Sequence, residues 1–157
     1  MRWTANSSRL KANSQFWKII FFHLVVVGLF ASACKIPNLE SKQCGDAREA
    51  VRKFYSFHYS NDIAPTAENL ELRKRFLTPG LFQELSEKPP AKDYFTNSDT
   101  APKAFRVAAC KEVDENTTDL GVHLFWKPND TTSIQKEVGV ETVKQGDDWL
   151  INKVTQK

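Results

Sequence analysis

Three cysteines, Cys34, Cys44 and Cys110, are the residues of this 157-residue chain whose type most directly invites chemistry. A thiol can be acylated, paired or used as a metal ligand, and spacing separates these fates. No CxxC pair and no Cys/His run has the spacing of a zinc site, so no metal is expected. Asp93, Asn97 and Asp99 supply oxygen atoms without the spacing of a calcium loop. GxSxG, HExxH, GxxxxGK(S/T) and GxGxxG are all absent, which leaves hydrolase, zinc-protease and nucleotide chemistry without their usual geometry, and no cofactor is expected. Asn116-Thr117-Thr118 and Asn129-Asp130-Thr131 match the glycosylation sequon and matter only in a eukaryotic chain.

The chemistry of Cys34 depends on the stretch it closes, FHLVVVGLFASAC. Arg2, Arg9, Lys11 and Lys18 precede it with no acidic residue, and the apolar run from Ile19 to Ala33 is 15 residues long, broken by His23. A spanning helix needs roughly 20. A basic start, a short apolar run and small residues at its end read as a signal peptide over residues 1–33. The alternative is a signal anchor from Phe16 to Ala33 with Trp17 and Lys18 at the interface.

Ala31-Ser32-Ala33-Cys34 resembles the lipobox of bacterial lipoproteins, departing from it at Ala31 where that motif prefers Leu. The resemblance implies that Cys34 is lipidated, that the signal is cut before it, and that a lipid (palmitate-type) anchor holds the chain to a membrane of the bacterial cell envelope. Lys35 stands where Asp would mark inner-membrane retention, so the outer membrane is favoured. Lipidation uses the odd thiol, leaving Cys44 and Cys110 for one disulfide in an oxidising compartment such as the periplasm; two unpaired buried cysteines are the alternative.

Cleavage also changes the charge. Four of the 22 basic residues precede Cys34, leaving 18 against 19 acidic ones, so a basic nucleic-acid surface is not expected. The cluster Arg73-Lys74-Arg75 reads as a solvated helix face. Residues 34–43 form the lipidated cysteine and a tether, and residues 44–157 suffice for a single α+β domain.

Within that domain the period of the apolar residues changes once. Ala47, Ala50, Val51, Phe54, Tyr55 and His58 recur at helical spacing behind an Asp46 cap, predicting a helix from Asp46 to about Ser60. A second helix is expected over 66–77. Thr78-Pro79 starts a third that carries Leu81, Phe82 and Leu85. From Ala104 the chain alternates in four β-rich runs, 104–114, 118–127, 134–144 and 148–154, separated by turn residues. Helices first and an antiparallel meander afterwards predict an α+β fold, three N-terminal helices packed on a four-stranded sheet.

This order, with the closing run Asp148 to Val154, resembles the cone-shaped fold of nuclear transport factor 2 and the SnoaL/ketosteroid isomerase group. More narrowly, Val51-Arg52-Lys53-Phe54-Tyr55 and Asp93-Tyr94-Phe95-Thr96-Asn97-Ser98-Asp99 are similar to a domain-of-unknown-function family of bacterial secreted proteins and lipoproteins. The resemblance implies a curved sheet enclosing a pocket. If that pocket is catalytic, its acid/base groups would come from Tyr55, His58, Asp93 and His123. Plainer roles compete: Tyr55 and His58 as core-edge residues with satisfied polar tips, Asp93 as a loop brace. Two functions remain, a non-catalytic lipoprotein domain that binds a small ligand, an envelope polymer or a protein, and a small isomerase or cyclase. Trp149 and Ile151 are expected to point at Val51 and Phe54. Trp126, beside Lys127 and Pro128, is expected at an exposed rim and is the residue nominated for binding.

Overall fold

A computed structural model describes residues 40–157; the expected signal peptide, Cys34 and the expected tether as far as Leu39 lie outside the described residues. Among the described residues no helix is long and apolar enough to cross a membrane. The elements run α1 (Lys42–Tyr59), α2 (Ala67–Arg73), a 3-10 turn (Lys74–Phe76), α3 (Pro79–Glu87), β1 (Ala104–Asp114), β2 (Thr117–Trp126), β3 (Ile134–Gln145) and β4 (Asp148–Gln156). The strands pair antiparallel in the order β1-β2-β3-β4. The expected α+β architecture, three helices and a four-stranded meander, is therefore present.

Helix starts follow side-chain oxygens. Ser41 caps α1, accepting from the Cys44 amide, so the helix begins at Lys42 and not at the expected Asp46 cap. Asp46 instead pairs with Lys42 one turn back. Thr66 caps α2 and Thr78 caps α3, whose first residue is Pro79, as the sequence predicts. The expected second helix is shorter than 66–77 because its last turn tightens into the 3-10 segment before Leu77 bridges to Ile151 of β4.

One sheet face is covered by α1. Leu120, Val122 and Leu124 of β2 and Val138 and Val140 of β3 are buried against Val51, Phe54 and Tyr55, which are fully buried. Thr118 and Thr142 stand opposite each other on β2 and β3, and their buried hydroxyls satisfy one another at 2.7 Å.

Strand irregularities decide what else reaches this face. On β1, Val107 pairs with Val122 and Cys110 with Leu120, so three residues on β1 match two on β2. Strict alternation would place Val107 and Cys110 on opposite faces; the extra residue turns Cys110 inward. Cys44 and Cys110 are joined there in a disulfide with a Cα–Cα distance of 5.8 Å. Arg48 of α1 donates to the carbonyls of Val107 and Ala108 at the same irregularity (2.9 and 2.6 Å). Another shift, between Glu141 and Thr142 on the β3–β4 pair, lets Ile151 and Val154 both face the core although three positions separate them.

The expectation for Trp126 needs correction, while that for Trp149 is met only in part. Trp126 is buried, only 8% exposed, and its indole N–H donates to the Thr100 carbonyl at 2.8 Å. It shares parity with Leu120, Val122 and Leu124, so the alternation that buries them buries it too, and the 100–103 segment covers the strand end. Trp149 does pack against the core as expected, but only half-buried, beside Lys53 and Arg75. The exposed rim that motivated a binding role for Trp126 is not there.

Two outcomes follow. Intact-mass measurement of the oxidised chain should show two hydrogens fewer than the reduced one, and Cys110→Ser should cost about 2–5 kcal/mol in urea unfolding, because the bond closes a loop with a sequence separation of 66. Trp126→Ala should cost about 3–5 kcal/mol, the cost of removing a large buried aromatic, and Trp149→Ala clearly less.

Candidate functional site

Tyr55 and His58 lie one turn apart on the buried side of α1, and Asp93 enters from the segment after α3. All three are at most 4% exposed. The Tyr55 hydroxyl donates to the Phe95 carbonyl at 3.0 Å. Burial pushes its phenol well above the ordinary range, and the nearby Asp93 charge adds to the shift. His58 lies parallel to the Phe54 ring, with centroids 5.4 Å apart, and has the Phe95 ring edge-on at 5.2 Å.

A residue that sequence reasoning assigned to solvent completes this centre. Arg73, expected on a solvated face, is only 2% exposed. Its Nε–H donates to His58 Nδ1 at 2.6 Å, and its other nitrogens reach the carbonyls of Asn69 (2.5 Å) and Asp62 (2.7 Å). A guanidinium has donors only, so Nδ1 is the accepting nitrogen and the ring proton sits on Nε2. Nε2 then donates to Asp93 Oδ2 at 3.1 Å, where the Thr96 hydroxyl also donates at 2.6 Å. Burial pulls the Arg73 guanidinium below its ordinary range, while the charges of Asp93 and Asp62 act the other way. The result is a linear chain, Arg73–His58–Asp93, in which an oriented imidazole joins a buried cation to a buried carboxylate. Lys74 and Arg75, the rest of the basic cluster, do stay exposed and lie over the Phe82 and Phe76 rings.

His123 is not part of this centre. It lies on the opposite sheet face, half-buried between Arg106 (3.1 Å) and Glu137 (3.7 Å), and Glu137 is held in turn by Lys157 at 2.7 Å. That Lys157 hydrogen bond keeps the Glu137 carboxyl below the usual range. The sheet thus separates His123 from the other three candidates. Asp93, Asn97 and Asp99 do not converge as a cation site: Asp93 faces His58 and Thr96, and Asp99 pairs with Lys92 at 3.3 Å. Glu40 approaches Cys44 and Cys110, but the two sulfurs are bonded to each other and offer no thiolate.

A cleft of ≈ 190 Å³ opens beside the charge chain, between α2, α3 and the 89–95 segment. Its walls are mostly apolar, with Ile63, Leu70, Phe82, Leu85, Tyr94 and Phe95, and both Arg73 and Asp93 reach it. Every side-chain hydrogen bond to Asp93 falls on Oδ2; among the described residues Oδ1 takes none. The sequence placed Asp93 in a loop but carried no sign of this cleft, since Arg73 looked like a surface residue.

No protein-family model and no curated protein matches the chain. A solved structure of a protein of unknown function from Bacteroides thetaiotaomicron aligns with 71% of this chain and 90% of its own, at 16% identity and a TM-score of 0.52, a likeness of fold alone. An NTF2-like protein involved in plasmid conjugation aligns at 13% identity and a TM-score of 0.48, over 75% of this chain but 40% of that one. An NTF2-like potential transfer protein, TraM from the Gram-positive conjugative plasmid pIP501, aligns at 10% identity and a TM-score of 0.49, over 72% and 95%.

Removing one end of the charge chain should be costly. Asp93→Ala leaves Arg73 buried without its counter-charge, and the expected loss is about 3–5 kcal/mol in denaturant unfolding. A loss near that of an ordinary surface substitution, within about 0.5 kcal/mol, would contradict the role given to this chain.

Proposed function

We propose that the protein is a lipoprotein of the bacterial cell envelope, anchored through Cys34 with the outer membrane favoured, whose NTF2-like domain binds rather than catalyses. One observation carries the second half of this reading. Of the buried groups that an isomerase-type mechanism would use, Tyr55 is committed to the Phe95 carbonyl and His58 through both ring nitrogens to Arg73 and Asp93, which leaves the free oxygen of Asp93 at the cleft without a second free acid/base group of this set beside it. A general acid or base must reach the proton it transfers. His58 is fully buried, and moving it to meet a substrate would break both of its bonds.

The anchor is supported by sequence alone. The basic start, the short apolar run and the small residues before Cys34 favour cleavage and lipidation there. Acyl chains contribute about 0.8 kcal/mol per buried methylene, and two or more chains give stable attachment. The ligand is a small molecule, an envelope polymer or another protein; nucleic acid does not fit the charge of the processed chain.

The anchor is tested by metabolic labelling with a fatty-acid probe. The wild-type chain should be labelled and start at Cys34 after processing, while Cys34→Ser should lose the label and stay uncut. A processed chain that begins at any other residue overturns the proposal.

A further inference from the structure

We propose that the cleft between α2, α3 and the 89–95 segment is a binding subsite for a small neutral molecule, ring-sized and apolar, that carries one hydrogen-bond donor directed at Asp93 Oδ1. The inference deepens the binding role proposed above and rests on it.

Asp93 is only 4% exposed, so water has little access to it, yet only Oδ2 is engaged, by His58 and Thr96. Among the described residues the buried side-chain polar atom left without any partner is the Tyr59 hydroxyl, and not Asp93 Oδ1. Oδ1 therefore borders open space, and the cleft is the space that Asp93 lines. A carboxylate oxygen there accepts and never donates, which selects a donor on the ligand.

Charge and size narrow the class further. An anion would meet the Asp93 carboxylate directly. A cation would be drawn to Asp93 but would lose its hydration against Leu70, Phe82 and Leu85, with the Arg73 guanidinium lining the same cleft and the second carboxylate there, Glu71, already paired with Lys74 at 2.9 Å. A neutral N–H or O–H meets neither cost. As to size, an apolar protein cavity of about 150 Å³ accepts benzene. A cleft of ≈ 190 Å³ accordingly has room for one ring system with a polar edge.

Indole, whose ring carries one N–H donor, and indene, the same shape without it, separate the terms of this proposal. Each is titrated into the full chain, at measured free concentration, while the methyl resonances of Ile63, Leu70 and Leu85 are followed by NMR. Indole should shift these methyls and bind about tenfold or more tightly than indene, the discrimination expected of a hydrogen bond to a charged acceptor. In Asp93→Asn the side-chain oxygen can keep the bonds from His58 and Thr96 while the amide nitrogen faces the cleft, so the advantage of indole should disappear. Equal affinity for indole and indene in the wild-type chain, or no change at these methyls, overturns the proposal whether or not the variant folds. Such a failure would leave the lipid anchor intact, because the labelling experiment does not involve the cleft.

Discussion

The buried chain from Arg73 through His58 to Asp93 is the constraint on which the helical half of this molecule depends. It joins three segments that are distant in sequence: the last turn of α1, the end of α2 and the segment after α3. A buried guanidinium is tolerated only when its donors are met and its charge is balanced. Here the carbonyls of Asn69 and Asp62 and the ring of His58 meet the donors, and Asp93 supplies the balancing charge. Because each group has a single geometry in which it is satisfied, the chain fixes where α2 lies against α1. The cleft is a consequence of that placement, since its walls come from the elements the chain holds in register.

The other half of the fold is organised by the sheet and by two of its three irregularities. On β1 the extra residue turns Cys110 toward α1 and frees carbonyls that Arg48 takes up, so a covalent bond and a charged donor hold the helix start at one point. On β4 the shift at Asn152 puts its side chain between the Thr78 hydroxyl and Glu141, linking the cap of α3 to the sheet. The same sheet keeps two polar systems apart. His58 and Asp93 lie on the covered face, and His123 lies on the other with Arg106 and Glu137. An acid/base pair drawn from both sets would have to act through the sheet.

Local pattern settled a good deal of this fold. Helical spacing from Ala47 to His58 named the buried face of α1 correctly, because a helix that packs on one side must repeat its apolar residues every three or four positions. Thr78-Pro79 marked the start of α3, and alternation marked four strands, because caps and pleats act over a few residues. The helix starts at Ser41 and not at Asp46, an equally competent cap, because Ser41, Gln43 and Cys44 of the earlier turn bond to the sheet at Glu112, at the Asp114 and Thr117 carbonyls and at Cys110.

What only tertiary structure decided was which polar residues go inside and which face an irregular strand presents. Arg73 sits in a run of three basic residues that reads as solvated, and its burial depends on carbonyls and a histidine contributed by other segments. Cys110 reaches Cys44 only because β1 carries an extra residue between Val107 and Cys110, a mismatch between two strands that neither strand shows alone. Trp126 is the reverse case: its parity with Leu124 was legible, but its strand-end position beside Lys127 suggested solvent, and the segment that covers it belongs to another part of the chain. The sequence by itself determined the elements and their apolar faces, since those depend on near neighbours. The buried charge chain, the cleft beside it and the inward turn of Cys110 arise from groups brought together by folding, so no single stretch of sequence contains them.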